Sequence, residues 1–326
     1  MKLLTLVNRR GGLRPDQVTT AIAQLAAERH GRAWLAGVDD VWLDDEVMFD
    51  ALRVEPGATA ATFKQGASAA VDRLRASELD VVLIRTNPGR DKARTVLHEA
   101  TLNLCRLAKS RGLLMLNDPD ALPKASDKLF LAYLPESLRP RMMVSRDPER
   151  LREFVDREKG QSVLKPVFGS QGRGVFRVRS GGPNLNALME VLTGDGYVIA
   201  QEYLRRAPEG DTRVVVVDGK PLEVDGRVCA VRRVPSEGEF RSNVHAGGHA
   251  AKGEPTLPLL RAATTIAQIL EMHGIWMAGI DMVGTKAVEI NVRCPGGLHD
   301  AGIFEGVDFN AAVLDSIERR VSEATE

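Results

Sequence analysis

The hydrophobic pattern of the first third of the chain alternates between strand-like and helix-like segments. Short apolar runs occur at Leu3–Val7, Asp80–Ile84 and Leu113–Leu116. Between them, apolar residues recur at helical spacing over Asp16–His30 and Thr95–Arg111, and each of these segments is followed by a glycine. Buried parallel strands are apolar throughout and are joined by helices, so this order predicts a doubly wound parallel sheet of the Rossmann-like type.

The rest of the chain consists mainly of short β-type runs separated by turns. The predicted strands are Val163–Lys165, Val175–Val178, Val198–Gln201, Arg213–Val217, Cys229–Arg233, Ile275–Val283 and Ala287–Val292, and the predicted helices are Leu259–His273 and Phe309–Arg320. Asp218-Gly219 is typical of a two-residue hairpin turn, because both residues accept positive φ angles. The fold class is therefore predicted as α/β in the first part and α+β in the rest.

Changes in this pattern suggest three units. Asn117–Ser126 contains two prolines and is interpreted as a linker that follows the doubly wound unit. We predict an N-terminal substrate domain at residues 1–118, a central unit with a glycine-rich loop at residues 119–196, and a C-terminal unit with a metal site at residues 197–326. A chain of 326 residues is long enough for two or three packed units.

Composition narrows the class of protein. Lys and Arg together number 44, and so do Asp and Glu, which gives a formal net charge of zero and no reason to expect nucleic acid or an anionic membrane as a partner. The cysteines Cys105, Cys229 and Cys294 are far apart, so neither a disulfide framework nor a zinc site is expected. No apolar stretch approaches the ~20 residues of a membrane helix, and we expect a cytoplasmic protein.

Three oxygen-bearing side chains lie on two neighbouring predicted strands. Asp281 lies on the first strand, and Glu289 and Asn291 lie on the second, after a turn at Gly284. Residues two apart on a strand face the same side, and Asp281 can lie opposite them. Their strand neighbours are apolar, so the carboxylates need compensation, which a divalent cation with hard oxygen ligands supplies. The pattern favours a Mg²⁺ site over the alternative of a solvent-exposed sheet face.

A glycine-rich loop, Phe168–Val175, lies between two predicted strands. Glycines allow backbone N–H groups to approach phosphate oxygens closely, although glycine-rich hairpins without a ligand are common. The loop lacks the Gly-Lys-Ser/Thr ending of a Walker loop, and it does not open a helix as a dinucleotide-binding fingerprint does. Lys165, at the end of the preceding strand, and Lys128 can each supply a point charge for phosphate.

Other polar residues also follow predicted strands. Gln201–Leu204 ends a strand and is followed by Asp211 and Arg213, so this stretch can offer backbone groups to an adenine edge and a carboxylate to a ribose. Arg9 and Arg85 come directly after two strands of the first unit, where a doubly wound sheet has its ligand crevice. We expect an anionic substrate there, and ordinary solvated surface charge is the alternative for each of these residues.

Together, the order of these motifs resembles that of the ATP-grasp enzymes, and most closely that of bacterial glutathione synthetases. The matching segments are Leu79–Arg85, Ser126–Phe130, Lys165-Pro166, Gly169–Gly174, Gln201–Leu204, Asp211–Gly219, Arg233, Arg241–Asn243, Ala246–Gly248, Asp281 and Glu289–Asn291. The resemblance implies an ATP-grasp fold behind the N-terminal domain. It also implies an ADP-forming carbon–nitrogen ligase that activates a carboxylic acid as an acyl phosphate and transfers it to an amine.

The resemblance assigns a role to each matching residue. Lys128, Lys165, Gly169, Ser170, Gln171, Gly172 and Gly174 would bind the ATP phosphates, Gln201, Glu202, Tyr203 and Leu204 would line the adenine site, and Asp211 would hold the ribose. Asp281, Glu289 and Asn291 would hold two Mg²⁺ ions, with Mn²⁺ as an alternative, and Arg213, Arg233 and Lys165 would neutralise the transferring phosphoryl group. Arg9, Arg85, Arg241, Asn243, Gly296 and Gly297 would contact small-molecule acid and amine substrates. Val234–Ala251 is the candidate lid, and a homo-oligomer, either a dimer or a tetramer, is expected.

The chain departs from the glutathione synthetase pattern after Asn291. It continues with Val-Arg-Cys-Pro-Gly-Gly-Leu-His where those enzymes carry a Ser-Pro-Thr type of segment, and this is closer to RimK-type glutamate ligases. We therefore expect a glutathione synthetase-like ligase that uses γ-glutamylcysteine and glycine, with a RimK-like or other ligase of a different acid and amine as the alternative. Cys294 is not expected to be a nucleophile, because acyl-phosphate chemistry requires none.

Two further classes of protein remain as alternatives. A non-catalytic nucleotide-binding regulator has no need of the intact set of Lys165, Arg233, Asp281, Glu289 and Asn291. A nicotinamide-dependent oxidoreductase suits the first unit but leaves the magnesium-type residues unexplained. Both are therefore disfavoured by the sequence.

Overall fold

The computed structural model describes residues 1–14, 17–65, 70–158, 160–167, 174–236 and 248–326. Three main β-sheets follow one another along the chain. The first has seven strands, in the order β3-β4-β2-β1-β6-β7 with β5 paired to β4. These strands are β1 (Leu3–Val7), β2 (Ala33–Gly37), β3 (Val41–Asp44), β4 (Glu46–Val54), β5 (Asp72–Arg75), β6 (Val81–Ile84) and β7 (Leu114–Leu116), and the helices are α1 (Val18–His30), α2 (Ala60–Gln65) and α3 (Thr95–Ser110).

Strand β1 lies inside this sheet and pairs in parallel with β2 and β6. All of its residues are buried, because α1 packs on the face occupied by Leu3 and α3 packs on the face occupied by Leu4. The predicted parallel sheet is confirmed for β1, β6 and β7, and β2, which was not predicted, pairs in parallel with the other edge of β1. The antiparallel strands β3, β4 and β5, which extend the sheet beyond β2, were not predicted.

The second sheet is entirely antiparallel, in the order β10-β9-β11-β8. After helix α4 (Ala121–Ser126), its elements are β8 (Met142–Ser145), α5 (Pro148–Arg157), β9 (Gln161–Pro166), β10 (Phe176–Arg179), α6 (Leu185–Gly194) and β11 (Val198–Glu202). Leu164 and Ala200 pack against α5 and α6. Because side chains alternate along a strand, the neighbouring Lys165 and Gln201 face away from these helices.

The third sheet has the order β17-β16-β12-β18-β19, with β13 paired to β12. Its strands are β12 (Asp211–Val217) and β13 (Lys220–Pro221), followed after the separate β14–β15 pair (Glu223–Val224 and Arg227–Val228) by β16 (Ala230–Val234), β17 (His249–Lys252), β18 (Met277–Val283) and β19 (Lys286–Asn291); its helices are α7 (Leu257–Met272), α8 (Leu298–Glu305) and α9 (Phe309–Thr325). The predicted hairpin turn is confirmed, since Asp218 and Gly219 have φ angles of 49° and 67°. Within the described ranges, no helix is both long and apolar enough to cross a membrane.

One face of β12 is polar at the start of the strand and apolar further along. Val214 and Val216 pack with α7 on the other face, whereas Asp211, Arg213 and Val215 share the first face because they are spaced by two. Val215 lies in an apolar cluster with residues of α8 and α9. The polar end of this face is therefore the part of the third sheet that is available for chemistry.

The interpretation of Asn117–Ser126 as a linker is wrong. Helix α4 occupies its second half, and Asn117 is buried between the first and third sheets. The Asn117 side chain donates hydrogen bonds to the carbonyls of Met277 and Val292, both at 2.9 Å, and accepts one from the Met277 backbone N–H at 2.7 Å. This amide therefore joins the end of β7 to β18 and to the residue that follows β19.

We predict that Asn117→Ala lowers the free energy of unfolding by about 2–4 kcal/mol, because the buried backbone groups of Met277 and Val292 lose their partners. Urea denaturation followed by far-UV circular dichroism measures this loss. The matched control is Asn103→Ala, which removes an amide from an exposed hydrogen bond with Arg106. Equal denaturation midpoints for the two variants would contradict the joining role of Asn117.

Candidate active site

The centre of the site is an alternating group of carboxylates and arginines on β12, β16 and β18. Asp281 is fully buried, and both of its oxygens accept hydrogen bonds from Arg213, at 2.7 and 2.8 Å. Arg233 lies 2.7 Å from the same carboxylate and donates two hydrogen bonds of 2.7 Å to Asp211. The strand register brings these pairs together, because Arg213 lies opposite Asp281 and Asp211 lies opposite Arg233.

These arginines determine the charge of Asp281. Burial disfavours the ionised carboxylate, but the positive charges of Arg213 and Arg233 outweigh burial and lower the pKa of Asp281. Burial also acts to lower the pKa of Arg233, yet Asp281 and Asp211 outweigh it and raise that pKa. The group therefore holds fixed charges of both signs in a place that excludes water.

Glu289 and Asn291 on β19 complete this group. Glu289 lies opposite Asp281 in the strand register, and Asn291 donates a hydrogen bond of 3.1 Å to Asp281 Oδ2. The predicted arrangement of the three residues on one face is thereby confirmed. Burial, and after it the negative charge of Asp281, raises the pKa of Glu289. The Glu289 carboxylate forms no hydrogen bond or ion pair with the part of the chain that the structure describes.

This donor set fits a hard divalent cation. Across the described ranges, no three or more His, Cys, Asp and Glu side chains form a closed metal cage. A cation at this place would instead meet the carboxylates of Asp281 and Glu289 and the amide oxygen of Asn291. Such an incomplete oxygen shell suits Mg²⁺, which completes its coordination with phosphate oxygens and water. The raised pKa of Glu289 also fits, because a cation would compensate the charge that the protein leaves uncompensated.

Two lysines approach this group from the second sheet. Lys165 is buried, and its Nζ lies 3.4 Å from the carbonyl of Val288 on β19. Burial lowers the pKa of Lys165 to about 8, although the nearby Glu289 opposes the shift. Lys128 Nζ donates a hydrogen bond of 3.0 Å to the carbonyl of Pro166, and burial lowers its pKa as well. The structure thus brings both predicted lysines to the boundary between the second and third sheets.

The predicted adenine-site residues lie at the end of β11. Gln201 is buried on the same side of the sheet as Lys165, and its Oε1 atom has no hydrogen-bond partner among the described residues. A buried acceptor of this kind is suited to a ligand N–H group. The Tyr203 ring lies beneath the guanidinium of Arg177, with 5.6 Å between the guanidinium carbon and the ring centroid. Glu202 differs from its neighbours, because its carboxylate is paired with Lys286 at 3.0 Å.

Arg85 is more buried than sequence reasoning expected. Its guanidinium donates hydrogen bonds of 3.2 Å to Thr19 Oγ1 and to the carbonyl of Pro295, and burial lowers its pKa. Cys294 Sγ donates to the Arg85 carbonyl at 2.8 Å, and burial raises the pKa of this thiol. The segment after β19 is therefore packed onto the carboxyl end of β6, and the protonated Cys294 is unsuited to act as a nucleophile.

The two glycines after Pro295 lie beside the central group. A Cβ atom added at Gly297 would be 3.5 Å from Cδ of Arg213, and the φ angle of Gly297 is 111°, which side-chain-bearing residues rarely adopt. A Cβ atom added at Gly296 would instead point into open space among the described residues. The segment thus brings backbone groups close to Arg213.

Sequence reasoning missed a set of contacts among the loops that follow β1, β2 and β6. Arg94 donates to the Asn8 carbonyl at 2.7 Å, and it pairs with Asp91 at 2.7 Å and with Asp39 at 3.2 Å. Arg9 is largely exposed and lies 3.7 Å from Asp91. The signal that was available is the charged run Arg90-Asp91-Lys92-Ala93-Arg94 directly after the turn that follows β6.

Several predicted residues lie outside the described part of the chain. They are the loop residues Gly169, Ser170, Gln171 and Gly172, the substrate residues Arg241 and Asn243, and most of the candidate lid Val234–Ala251. Gly174, at the end of the glycine-rich loop, is described and has a φ angle of 69°. A Cβ atom there would be 3.2 Å from the ring of Pro166, so a glycine is needed where the loop returns to the sheet.

Solved structures with the same architecture are ATP-grasp enzymes. The ATP-grasp ligase PsnB superimposes with a TM-score of 0.63 at 19% identity, covering 98% of this chain and 99% of that one. The D-cycloserine synthetase DcsG gives a TM-score of 0.62 at 17% identity, covering 96% of this chain and 99% of that one. These similarities show that the fold is the ATP-grasp fold, as the motif order implied.

Proteins of similar sequence identify the family more narrowly than the shared fold does. The model of the prokaryotic glutathione synthetase N-terminal domain matches residues 1–122, and that of the prokaryotic glutathione synthetase ATP-grasp domain matches residues 127–304. The glutathione synthetase of Vibrio cholerae is 37% identical over 251 residues, which cover 75% of this chain and 74% of the relative. That of Parasynechococcus marenigrum is 34% identical over 311 residues, which cover 92% and 93%. This chain therefore belongs to the prokaryotic glutathione synthetase family.

Proposed function

We propose that this protein joins γ-glutamylcysteine and glycine to form glutathione, with ATP converted to ADP and phosphate. Family membership makes it an ADP-forming carbon–nitrogen ligase that uses ATP, a divalent metal ion and small-molecule substrates. In the proposed reaction, the carboxylate of the acid attacks the γ-phosphorus of ATP and forms an acyl phosphate. The amine of glycine then attacks the acyl carbon and displaces phosphate.

The observation that carries this proposal is the charged group around Asp281. Phosphoryl transfer needs little covalent chemistry from the protein and depends on positioning and charge stabilisation. Arg213 and Arg233 are held in fixed orientations by Asp281 and Asp211, so their positive charges need little reorganisation during transfer. Together with Lys165, these arginines are suited to stabilise the negative charge of the transferring phosphoryl group.

The nucleotide is proposed to bind between the second and third sheets. Lys128 and Lys165 would contact its phosphates, and the loop residues Gly169, Ser170, Gln171, Gly172 and Gly174 would cover them. The buried Oε1 of Gln201, which has no hydrogen-bond partner among the described residues, supports an adenine site, since the adenine amino group can donate to it. Tyr203 and Leu204 would line that site, and Glu202 would contribute its backbone. Asp211, which is also paired with Arg233, is proposed to accept from the ribose.

Asp281, Glu289 and Asn291 are proposed to hold the metal, as two Mg²⁺ ions with Mn²⁺ as an alternative. Bound there, the metal would neutralise charge on the ATP phosphates. The role of the chain itself is to keep Asp281 ionised through Arg213 and Arg233, and to present the Glu289 carboxylate, which has no hydrogen bond or ion pair among the described residues.

Substrate binding is proposed for the crevice between the first sheet and the segment Cys294–Leu298. Arg85 is a buried cation whose hydrogen bonds go to uncharged groups, which supports an interaction with a substrate carboxylate. Gly296 and Gly297 would offer backbone groups beside Arg213. Arg9, Arg241 and Asn243 are proposed as further substrate contacts, with Val234–Ala251 as the lid.

The domain boundaries, the location in the cell and the oligomeric state are also proposals. The three predicted units can be kept, with the second boundary after Glu202, because β11 pairs with β8 and β9. We further propose a cytoplasmic homo-oligomer, either a dimer or a tetramer.

A ligase for a different acid and amine is the second candidate. The observation in its favour is the segment after Asn291, where Cys294 and Pro295 contact Arg85 and give the substrate side of the site its own shape. A RimK-like preference would keep all the proposed ATP and metal residues and change only this side. A non-catalytic regulator would keep the proposed ATP and metal residues but would not convert ATP to ADP.

The deciding experiment combines the protein with ATP, Mg²⁺, γ-glutamylcysteine and glycine, and follows ADP and product mass. We expect glutathione and ADP in equal amounts at about 1 s⁻¹ or faster, only when both substrates are present. ADP formation with other acid–amine pairs but not this one would favour the second candidate. No ADP with any pair tested, despite nucleotide binding, would favour the regulator.

We predict that Glu289→Gln lowers the rate of ADP formation roughly hundredfold or more, because a charged ligand for the proposed metal is lost. The midpoint temperature of thermal unfolding should be unchanged or higher, since the neutral amide is easier to bury than the carboxylate. Mn²⁺ binding in the presence of ADP, followed by electron paramagnetic resonance, should weaken in parallel. Glu254→Gln, on the surface, is the control, and wild-type metal binding by Glu289→Gln would remove the metal assignment.

The lowered pKa of Lys165 predicts proton uptake when nucleotide binds. In the free protein Lys165 is protonated below about pH 8 and loses its proton above it. Nearby phosphates favour the charged form, so MgADP binding at pH 8 should take up about half a proton at this residue. Affinity should accordingly fall as the pH rises through 8.

Calorimetry in two buffers of different protonation enthalpy measures this uptake. Lys165→Arg keeps the positive charge but does not titrate in this range, so the corresponding uptake should disappear. Equal proton uptake by the wild type and the Lys165→Arg variant would contradict the role of Lys165.

A further inference from the structure

An ion pair joins the second and third sheets beside the proposed nucleotide cleft. Lys286 is the first residue of β19 in the third sheet, and Glu202 is the last residue of β11 in the second sheet. Lys286 Nζ lies 3.0 Å from Glu202 Oε2, and both side chains are largely shielded from water, with 26% and 18% of their surface exposed. The pair is therefore better protected from screening than a surface salt bridge.

Glu202 is held in place by its own sheet. The backbone N–H of Arg141, just before β8, donates to Glu202 Oε2 at 3.1 Å, and the Arg141 guanidinium lies 3.4 Å from Oε1. That guanidinium is itself fixed by Glu158, with hydrogen bonds of 3.1 and 2.7 Å. Because Glu202 is anchored in this way, its bond with Lys286 fixes the position of β19 relative to the second sheet.

A second lysine contact across this boundary, made by Lys165, is weaker and is suited to be exchanged. Lys165 Nζ lies 3.4 Å from the carbonyl of Val288, a long hydrogen bond to a neutral group. A nucleotide phosphate would attract the Lys165 ammonium more strongly than this carbonyl does. The Lys286–Glu202 pair does not involve Lys165, so it can persist when Lys165 turns to the nucleotide.

We propose that Lys286 and Glu202 are positioning residues, whose ion pair holds β19 against the second sheet and thereby sets the affinity for nucleotide. The proposal rests on nucleotide binding between these sheets. It gives the Glu202 side chain a role different from lining the adenine site. Residues Asp281 to Asn291 belong to the same hairpin as Lys286, so the pair also fixes the distance between the adenine end of the cleft and the proposed metal ligands.

The test is the affinity for MgADP, which requires neither acid nor amine. Lys286→Gln should raise the dissociation constant about fivefold, because part of the population no longer has the spacing that binds nucleotide. Lys286→Arg, which retains the charge, should stay within twofold of the wild type. In turnover, Lys286→Gln should raise KM for ATP and leave KM for the acid substrate and kcat largely unchanged.

A double-mutant cycle separates the ion pair from general damage. Glu202→Gln and Lys286→Gln should each weaken MgADP binding, and the double variant should bind no more weakly than the worse single variant. Lys252→Gln is the matched control, since Lys252 of β17 pairs at 3.2 Å with Glu305 of α8, and both elements belong to the third sheet and its helices. Thermal unfolding of each variant confirms that it is folded.

Three outcomes would overturn the proposal: unchanged MgADP affinity in Lys286→Gln, additive effects in the double variant, or equal weakening by Lys252→Gln. Failure of the proposed glutathione reaction is distinguishable, because it would leave MgADP binding and the cycle intact.

Discussion

The buried carboxylate of Asp281 is the constraint on which the site depends. A lone ionised carboxylate at this depth would be strongly destabilising, and removing a partner from a buried pair leaves that cost uncompensated. Arg213 and Arg233 supply the compensation from two different strands, and Asp211 in turn balances Arg233. Three strands of the third sheet, β12, β16 and β18, are thus fixed by charge as well as by their backbone ladder. The fixed charges that this produces are what phosphoryl transfer requires.

Lys165 and Glu289 illustrate the opposite effect of burial. Lys165 has no carboxylate within hydrogen-bonding distance among the described residues, so burial lowers its pKa into the range where it can lose its proton. The pKa of Glu289, across the boundary, is raised because burial disfavours the charged form of this residue as well. Burial therefore disfavours the charged forms of Lys165 and Glu289, whereas the carboxylates and arginines that are paired with one another keep their charges. A polyanionic nucleotide with its metal ion would reverse this balance at Lys165 and Glu289.

Much of the fold and part of the site could be predicted from the sequence, and the failures have physical causes. β1 and the hairpin that carries Asp281 and Glu289 were predictable because apolar runs, alternation and turn residues are local signals. β2 was missed because Ala33–Gly37 is rich in small residues, and only its position between β1 and β4 makes it a strand. The pairing of Arg213 with Asp281 depends on the register of strands that are distant in sequence, which no local pattern contains.

The prolines near Asn117 were misleading for a related reason. Pro123 lies in the first turn of α4, where a helix tolerates proline because the missing N–H would have no partner there. The burial of Asn117 is likewise a tertiary effect, since its partners Met277 and Val292 come from much later in the chain. Similarly, the ion pair of Glu202 with Lys286 joins residues that are distant in sequence, so motif order does not contain it.

The charged residues at one end of β12 and the apolar residues at the other affect how this strand pairs with β18. A shift of two residues between β12 and β18 would keep every side chain on its own face, so the apolar pattern alone penalises it weakly. Such a shift would, however, set Arg213 opposite Gly279 or Val283 instead of Asp281 and leave a buried charge alone. The charged residues therefore act as a register mark for the sheet. Sequence drift at these positions is restricted by the assembly of the sheet as well as by the reaction, and a variant that changes them would risk mispairing before it could acquire a new chemistry.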